Sequence, residues 1–220
     1  MPSAFQNMTK HLCLMTLLMV IGTGRSVGQV MDTLALPVFR SLQEALLQPD
    51  SVLSLDLSDQ HLGKLPTDIF RFTQLRELRL RNNDLTSIPA EIATLTHLRL
   101  LDMSGNPITL LPERFAELGE LEELYLNNDR SLALERDLGI LARLPHLRIL
   151  HLENDGLRTL PPNIGDMRWL EELYLNNNKF RAVPVGVLRL EHLKLLDLHS
   201  NPIEPIVPLD LQQRGVLIRF

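Results

Sequence analysis

Two glutamate pairs, Glu122-Glu123 and Glu171-Glu172, and two histidines, His151 and His199, are the residues whose types could support chemistry. Paired carboxylates can divide general acid and base roles, and two histidines can share a metal ion. The spacing argues against both. Neighbouring residues of a strand face opposite sides, so each glutamate pair would be split. His151 and His199 would stand two strand rows apart, roughly 10 Å, too far for one ion. Glu153 and Asp155 lack the loop signature of a calcium site. No P-loop, G-x-G-x-x-G, G-x-S-x-G or H-E-x-x-H motif occurs. The single cysteine, Cys13, leaves no intramolecular disulfide and no thiolate metal cluster. The expectation is a protein that is not an enzyme, with no catalytic residue, cofactor or metal.

Those glutamates belong to a segment, LEELYLNN, that occurs twice, at Leu121–Asn128 and Leu170–Asn177. Aligning the chain on itself gives seven units, 52–74, 75–97, 98–120, 121–146, 147–169, 170–192 and 193–211. Most have 23 residues. The fourth has 26, its extra residues lying between Asp129 and His146, which is why the two copies stand 49 apart. The fourth unit also lacks the central dipeptide seen as Leu65-Pro66, Ile88-Pro89, Leu111-Pro112, Leu160-Pro161 and Val183-Pro184.

Each unit opens on an alternation such as Leu78-Arg79-Leu80, the period-two signal of a short half-buried strand. One unit cannot bury its leucines alone, so the units must stack and their strands must run in parallel. Place 9 holds Asn83, Asn106, Asn178 and Asn201, whose amides can bond the backbone of a turn from inside; Gln60, Asp129 and Asp155 stand there in the other three. Ile69, Ile92, Phe115, Ile164 and Val187 close the return half as 3₁₀ or irregular turns. In the fourth unit Leu134, Leu138, Leu141 and Leu144 fall at helical spacing and predict an α-helix.

The exposed ends of such a stack need caps. Residues 29–51 are expected to form a helical cap carrying the stripe Phe39, Leu42, Ala45 and Leu46. Residues 212–220 are expected to close the other end as a strand, after a short turn or helix near Leu209–Gln213.

The outward side chains of the strands define the candidate binding face. Its central column is Asp56, Arg79, Asp102, Tyr125, His151, Tyr174 and Asp197. Glu77, Glu123 and Glu172 flank it on one side, and Arg81, Asn127, Glu153, Asn176 and His199 on the other. The two tyrosines share a column with His151 between them, and tyrosine is enriched at binding hot spots. Seven rows span roughly 30 Å, a scale that suits a protein segment or small domain.

The pattern L-x-x-L-x-L-x-x-N-x-L, in seven tandem copies over about three quarters of the chain, resembles the leucine-rich repeat family. The Leu-Pro and the Ile-x-x-Leu second half resemble its 23-residue class, and Phe39–Ser58 resembles the cap and first repeat of secreted bacterial members. The resemblance implies an α/β solenoid, a horseshoe whose concave face carries a parallel sheet of about seven strands. It also implies binding of proteins through that face.

The composition constrains the partner. There are 22 Lys+Arg against 27 Asp+Glu, a net charge of −5 and a pI near 5.8, which weigh against nucleic acid and an anionic membrane surface. Arg79 and Arg81 make a small basic patch among acidic neighbours, so a protein ligand of mixed charge is expected. Oligomeric state leaves no trace in the sequence.

Residues 1–28 join a basic start, the ten-residue apolar run Leu12–Ile21 and small residues at Ser26 and Gly28, the pattern of a secretory signal peptide. Ten apolar residues are too few to span a bilayer, which needs roughly 20. A secreted, periplasmic or cell-surface protein without membrane insertion of the mature chain follows. Two other readings fit the same residues: a structural or adhesive surface component, and an intracellular signalling scaffold if residues 1–28 are not a signal.

Overall fold

The structure is a computed structural model and describes residues 37–220 except 130 and 205. Residues 1–28, expected to be a signal peptide and including Cys13, and the first part of the expected cap lie outside the described residues.

The strands are β1 Val38–Phe39, β2 Ser54–Asp56, β3 Glu77–Arg79, β4 Leu100–Asp102, β5 Glu123–Tyr125, β6 Ile149–His151, β7 Glu172–Tyr174, β8 Leu195–Asp197 and β9 Leu217–Arg219. They form one parallel sheet in sequence order. The register is unbroken: Leu55, Leu78, Leu101, Leu124, Leu150, Leu173 and Leu196 are successive partners. All seven are fully buried and form the spine of a single apolar core. Stacking each coil on the next removes these layers from water, which no coil achieves by itself.

The sheet has one strand more at its beginning than the repeat pattern predicts. Phe39, expected on the helical stripe of the cap, lies instead in β1 and pairs with Leu55. Helix α1, Leu42–Leu46, begins after it, with the Ser41 hydroxyl accepting the Glu44 N–H at 3.4 Å. At the other end helix α3, Leu209–Gln213, leads into β9, which pairs with β8. The fourth coil holds helix α2, Leu134–Leu141, where helical spacing predicts it.

The remaining return segments are 3₁₀ turns. Ile69, Ile92, Phe115, Ile164 and Val187 sit in these turns and are fully buried. Proline precedes each turn at its N-cap, where the fixed φ suits the entry and no donor is lost.

Two features of the turn off the strand recur. Place 8 is left-handed in all seven coils, at Asp59, Asn82, Gly105, Asn128, Asn154, Asn177 and Ser200, with φ between 51 and 74 across the positive-φ residues of the protein. Asparagine and glycine tolerate that region best, which accounts for the second asparagine of LEELYLNN. Place 9 then turns inward. The Asn106 amide donates to the carbonyls of Leu80, Met103 and Ser104 at 2.9, 2.8 and 3.2 Å. Its oxygen accepts the N–H groups of Asn83 and Leu85 at 2.9 and 3.1 Å. Asn83, Asn178 and Asn201 repeat the arrangement, lacing each coil to the one before it.

Candidate functional site

Because strands β2 to β8 each have three residues with the middle one buried, the first and third side chains stand on the opposite face. The register lines up Asp56, Arg79, Asp102, Tyr125, His151, Tyr174, Asp197 and, on β9, Arg219. This is the predicted central column with one further member, Arg219. It was missed because the last segment carries no second half to reveal it as a repeat. Its Leu217-Ile218-Arg219 nevertheless aligns with Leu195-Leu196-Asp197.

The middle of the column is an aromatic stack. The Tyr125 and His151 rings lie 3.8 Å apart at 9°, and those of His151 and Tyr174 lie 4.3 Å apart at 5°. The inter-strand distance is close to the stacking distance, so aromatic residues at one place of successive coils meet face to face. The tyrosines therefore offer their edges to solvent and are half-buried, and His151 is only 8% exposed.

Carboxylates fasten the stack. The Tyr125 hydroxyl donates to Glu123 at 2.5 Å and that of Tyr174 to Glu172 at 2.7 Å. The His151 ring nitrogens lie 3.3 Å from Glu123 and 3.2 Å from Glu153. Burial works against a charged imidazole there, but the hydrogen bonds to Glu123 and Glu153 outweigh it and hold the His151 pKa above its usual 6.5. The same bond from His151 holds Glu123 below the usual carboxylate range against its own desolvation. Burial, with the bond to Glu172, pushes the Tyr174 hydroxyl up to about 12, and Tyr125 is raised by burial and Glu123. The centre of the face is thus an imidazole held between two aromatic faces and two carboxylates that favour its protonated form, an arrangement that preorganises it.

The other candidates divide into two groups. A groove of about 440 Å³ beside the stack brings together Arg81, Asp102, Tyr125, Asn127, Glu153 and Asn176. Asp197 and His199 stand apart at the β8 end: Asp197 is 3% exposed, accepts from His199 Nδ1 at 2.6 Å and lies 3.5 Å from Arg219. Arg79 is neutralised by Glu77 at 2.9 Å, so the basic patch expected from Arg79 and Arg81 reduces to Arg81. Counted over the three columns, seven carboxylates face three guanidinium groups, and the face is acidic.

Trp169, at the strand-entry edge, was not among the predicted residues. It is 50% exposed, stacks on His192 at 5.1 Å and lies 5.7 Å from the Arg148 guanidinium. The only signal for it was its rarity, as the one tryptophan of the chain. Among the described residues, no helix is long and apolar enough to cross a membrane.

The family model for the leucine rich repeat matches residues 50–108, 73–130 and 145–203. Similar solved structures include a leucine-rich repeat protein of Leptospira interrogans, with 30% identity and a TM-score of 0.63 over 80% of this chain and 50% of that one. A plant peptide hormone receptor in complex with RGF2 has 26% identity and a TM-score of 0.55, over 76% of this chain and 27% of the receptor. A TLR13–ssRNA13 complex has 25% identity and a TM-score of 0.60, over 81% of this chain and 25% of that one. The chain therefore spans about half the length of the first and about a quarter of the others. No curated protein matches it.

Proposed function

Because the chain belongs to the leucine-rich repeat family, we propose that it is an exported, non-enzymatic module that holds a protein partner against the outer face of its sheet. The observation that carries this reading is the braced stack of Tyr125, His151 and Tyr174 beside an open groove. Side chains already fixed by stacking and hydrogen bonds lose little freedom on binding, so their contacts convert into affinity with little entropic loss. The plant peptide hormone receptor, similar in fold, is in complex with RGF2, which supports protein or peptide recognition by this scaffold.

The charge of the face selects the partner's chemistry. Seven carboxylates against three guanidinium groups favour a contacting surface of mixed charge with a basic excess. The TLR13 complex contains single-stranded RNA. An acidic face with stacked, edge-on rings suits phosphates and bases poorly, so a protein is favoured over a nucleic acid here. Export rests on residues 1–28, whose sequence has the parts of a secretory signal.

Asp102→Lys with Asn176→Arg tests the face. Both residues are half-buried at the groove and neither is part of the core. The variant places bulk and positive charge where a basic partner would sit. Capture from extracellular and envelope fractions by the immobilised chain should fall at least about tenfold, the equivalent of 1.4 kcal/mol. The melting temperature should change by only a few degrees. Undiminished capture by the variant would exclude this face as the docking site.

A further inference from the structure

A second recess lies on the segments that follow the asparagine turns of the fifth and sixth coils, and its volume is about 530 Å³. Leu160, Phe180, Ala182, Val183 and Val185 line it, and Val185 is 76% exposed. Arg158, Lys179 and Arg181 line the same recess, and all three are exposed. Arg158 and Arg181 are 23 residues apart and hold the same place in successive coils, so their backbones stand about one strand spacing, ~4.8 Å, apart.

Two features of the three cations bear on a ligand. Among the described residues none of them forms an ion pair, as is also true of Arg168 in the fifth coil, whereas Arg148, Arg189 and Lys194 in or next to the same coils pair with Glu171, Asp166 and Glu171. Nor are the two arginines a by-product of the repeat. Their place holds Thr86 and Thr109 in earlier coils and Glu204 in the next. Crowding like charges is unfavourable, and in a chain of net charge −5 it runs against the general trend. An anion in the recess would relieve that repulsion, and the guanidinium fork matches a carboxylate or phosphate.

We propose that this recess binds an anionic amphiphile. Its carboxylate or phosphate head is held by Arg158, Arg181 and Lys179, and an acyl-type chain lies along Leu160, Phe180 and Val183–Val185. The volume falls within the range of small-molecule sites, ~300–1,000 Å³, and an apolar wall with a few convergent polar groups is their usual make-up. A peptide is less well served, because an extended segment recognised by its backbone needs an open strand edge. The strands of the fifth and sixth coils, β6 and β7, are paired on both sides.

The test is a titration of the full chain with sodium dodecanoate below its micelle concentration, read by methyl NMR at Leu160, Val183 and Val185. Dodecyl phosphate, dodecanol and an acidic leucine-rich peptide are titrated in parallel. One-to-one saturation by dodecanoate or dodecyl phosphate, with shifts confined to the recess, is expected, and the tighter of the two identifies the head group. Dodecanol should bind at least tenfold more weakly. Arg158→Gln with Arg181→Gln should weaken the anion at least tenfold and leave the melting temperature unchanged, since both side chains are exposed. Absence of saturation, equal binding of dodecanol, undiminished binding by the double variant, or preference for the peptide would each overturn the proposal.

Discussion

Replacing Asn106 by alanine should destabilise the protein by about 4 kcal/mol, although the residue touches no ligand and lies far from either end of the array. Its side chain makes five hydrogen bonds, but their loss is not equally costly. The Leu80 carbonyl keeps the Asn83 amide, and the Ser104 carbonyl keeps the Asn82 N–H. Three groups are left with no other hydrogen bond among the described residues: the N–H groups of Asn83 and Leu85 and the carbonyl of Met103. All three residues are buried. Each orphaned backbone group costs about 1–3 kcal/mol, and the small cavity left behind adds to that. Urea unfolding should show the loss directly, with a fall in melting temperature of roughly 10 °C. A loss under about 1 kcal/mol would mean that water enters and satisfies the turn, and the inward asparagines would then not be what locks one coil to the next.

Asp155→Asn should act in the opposite direction, and only at neutral and alkaline pH. Asp155 occupies the asparagine place of the fifth coil, where it accepts the Asp129 N–H at 2.8 Å. Burial, with a contribution from the neighbouring Asp129 charge, pushes its pKa from the usual 3.8 to about 7. A carboxyl whose folded pKa lies above its unfolded one favours the fold when protonated. That stability is complete below about 3.8 and is lost as the pH rises toward 7. The full difference is about 4 kcal/mol. Asparagine carries no charge and restores the residue found at this place in four other coils. The variant should therefore melt higher than the parent at pH 8, by several degrees, and at a similar temperature at pH 4. Comparing the two chains cancels the acid sensitivity of the other carboxylates. A gain of equal size at both pH values would show that the ionisation of Asp155 is not its source. Asp129, one coil earlier, is also raised by burial and has a buried oxygen without a partner, so some pH dependence should persist in the variant.

The repeating architecture could be read from the sequence because it depends on periods. Seven leucines at one place, spaced 23 residues apart and once 26, dictate parallel strands whatever the intervening residues are, and the register of the sheet follows the alignment residue for residue. The inward asparagines, the 3₁₀ turns and helix α2 were legible for the same reason. Strand β1 was not. Its two residues show no alternation, and Phe39 also fits a helical stripe with Leu42 and Leu46, so only pairing with Ser54 and Leu55 decides the matter. The site was half legible. The columns could be drawn, but not the closing of Tyr125, His151 and Tyr174 into a stack, nor the neutralisation of Arg79 by Glu77. Those depend on rotamers, which no period encodes. The recess at Arg158 and Arg181 was marked by two arginines at equal places, but only their lack of acidic partners gives that coincidence weight.

The unbroken register assigns separate duties to neighbouring residues. In every three-residue strand the middle side chain answers to the core, and most of the first and third answer to solvent. A lineage carrying such a chain can alter what it holds one substitution at a time, because most changes on the outer columns leave the leucine layers untouched. His151 and Asp197, both sunk into the face, are where that freedom ends: a change of specificity at either would also change the mould in which its neighbours are set.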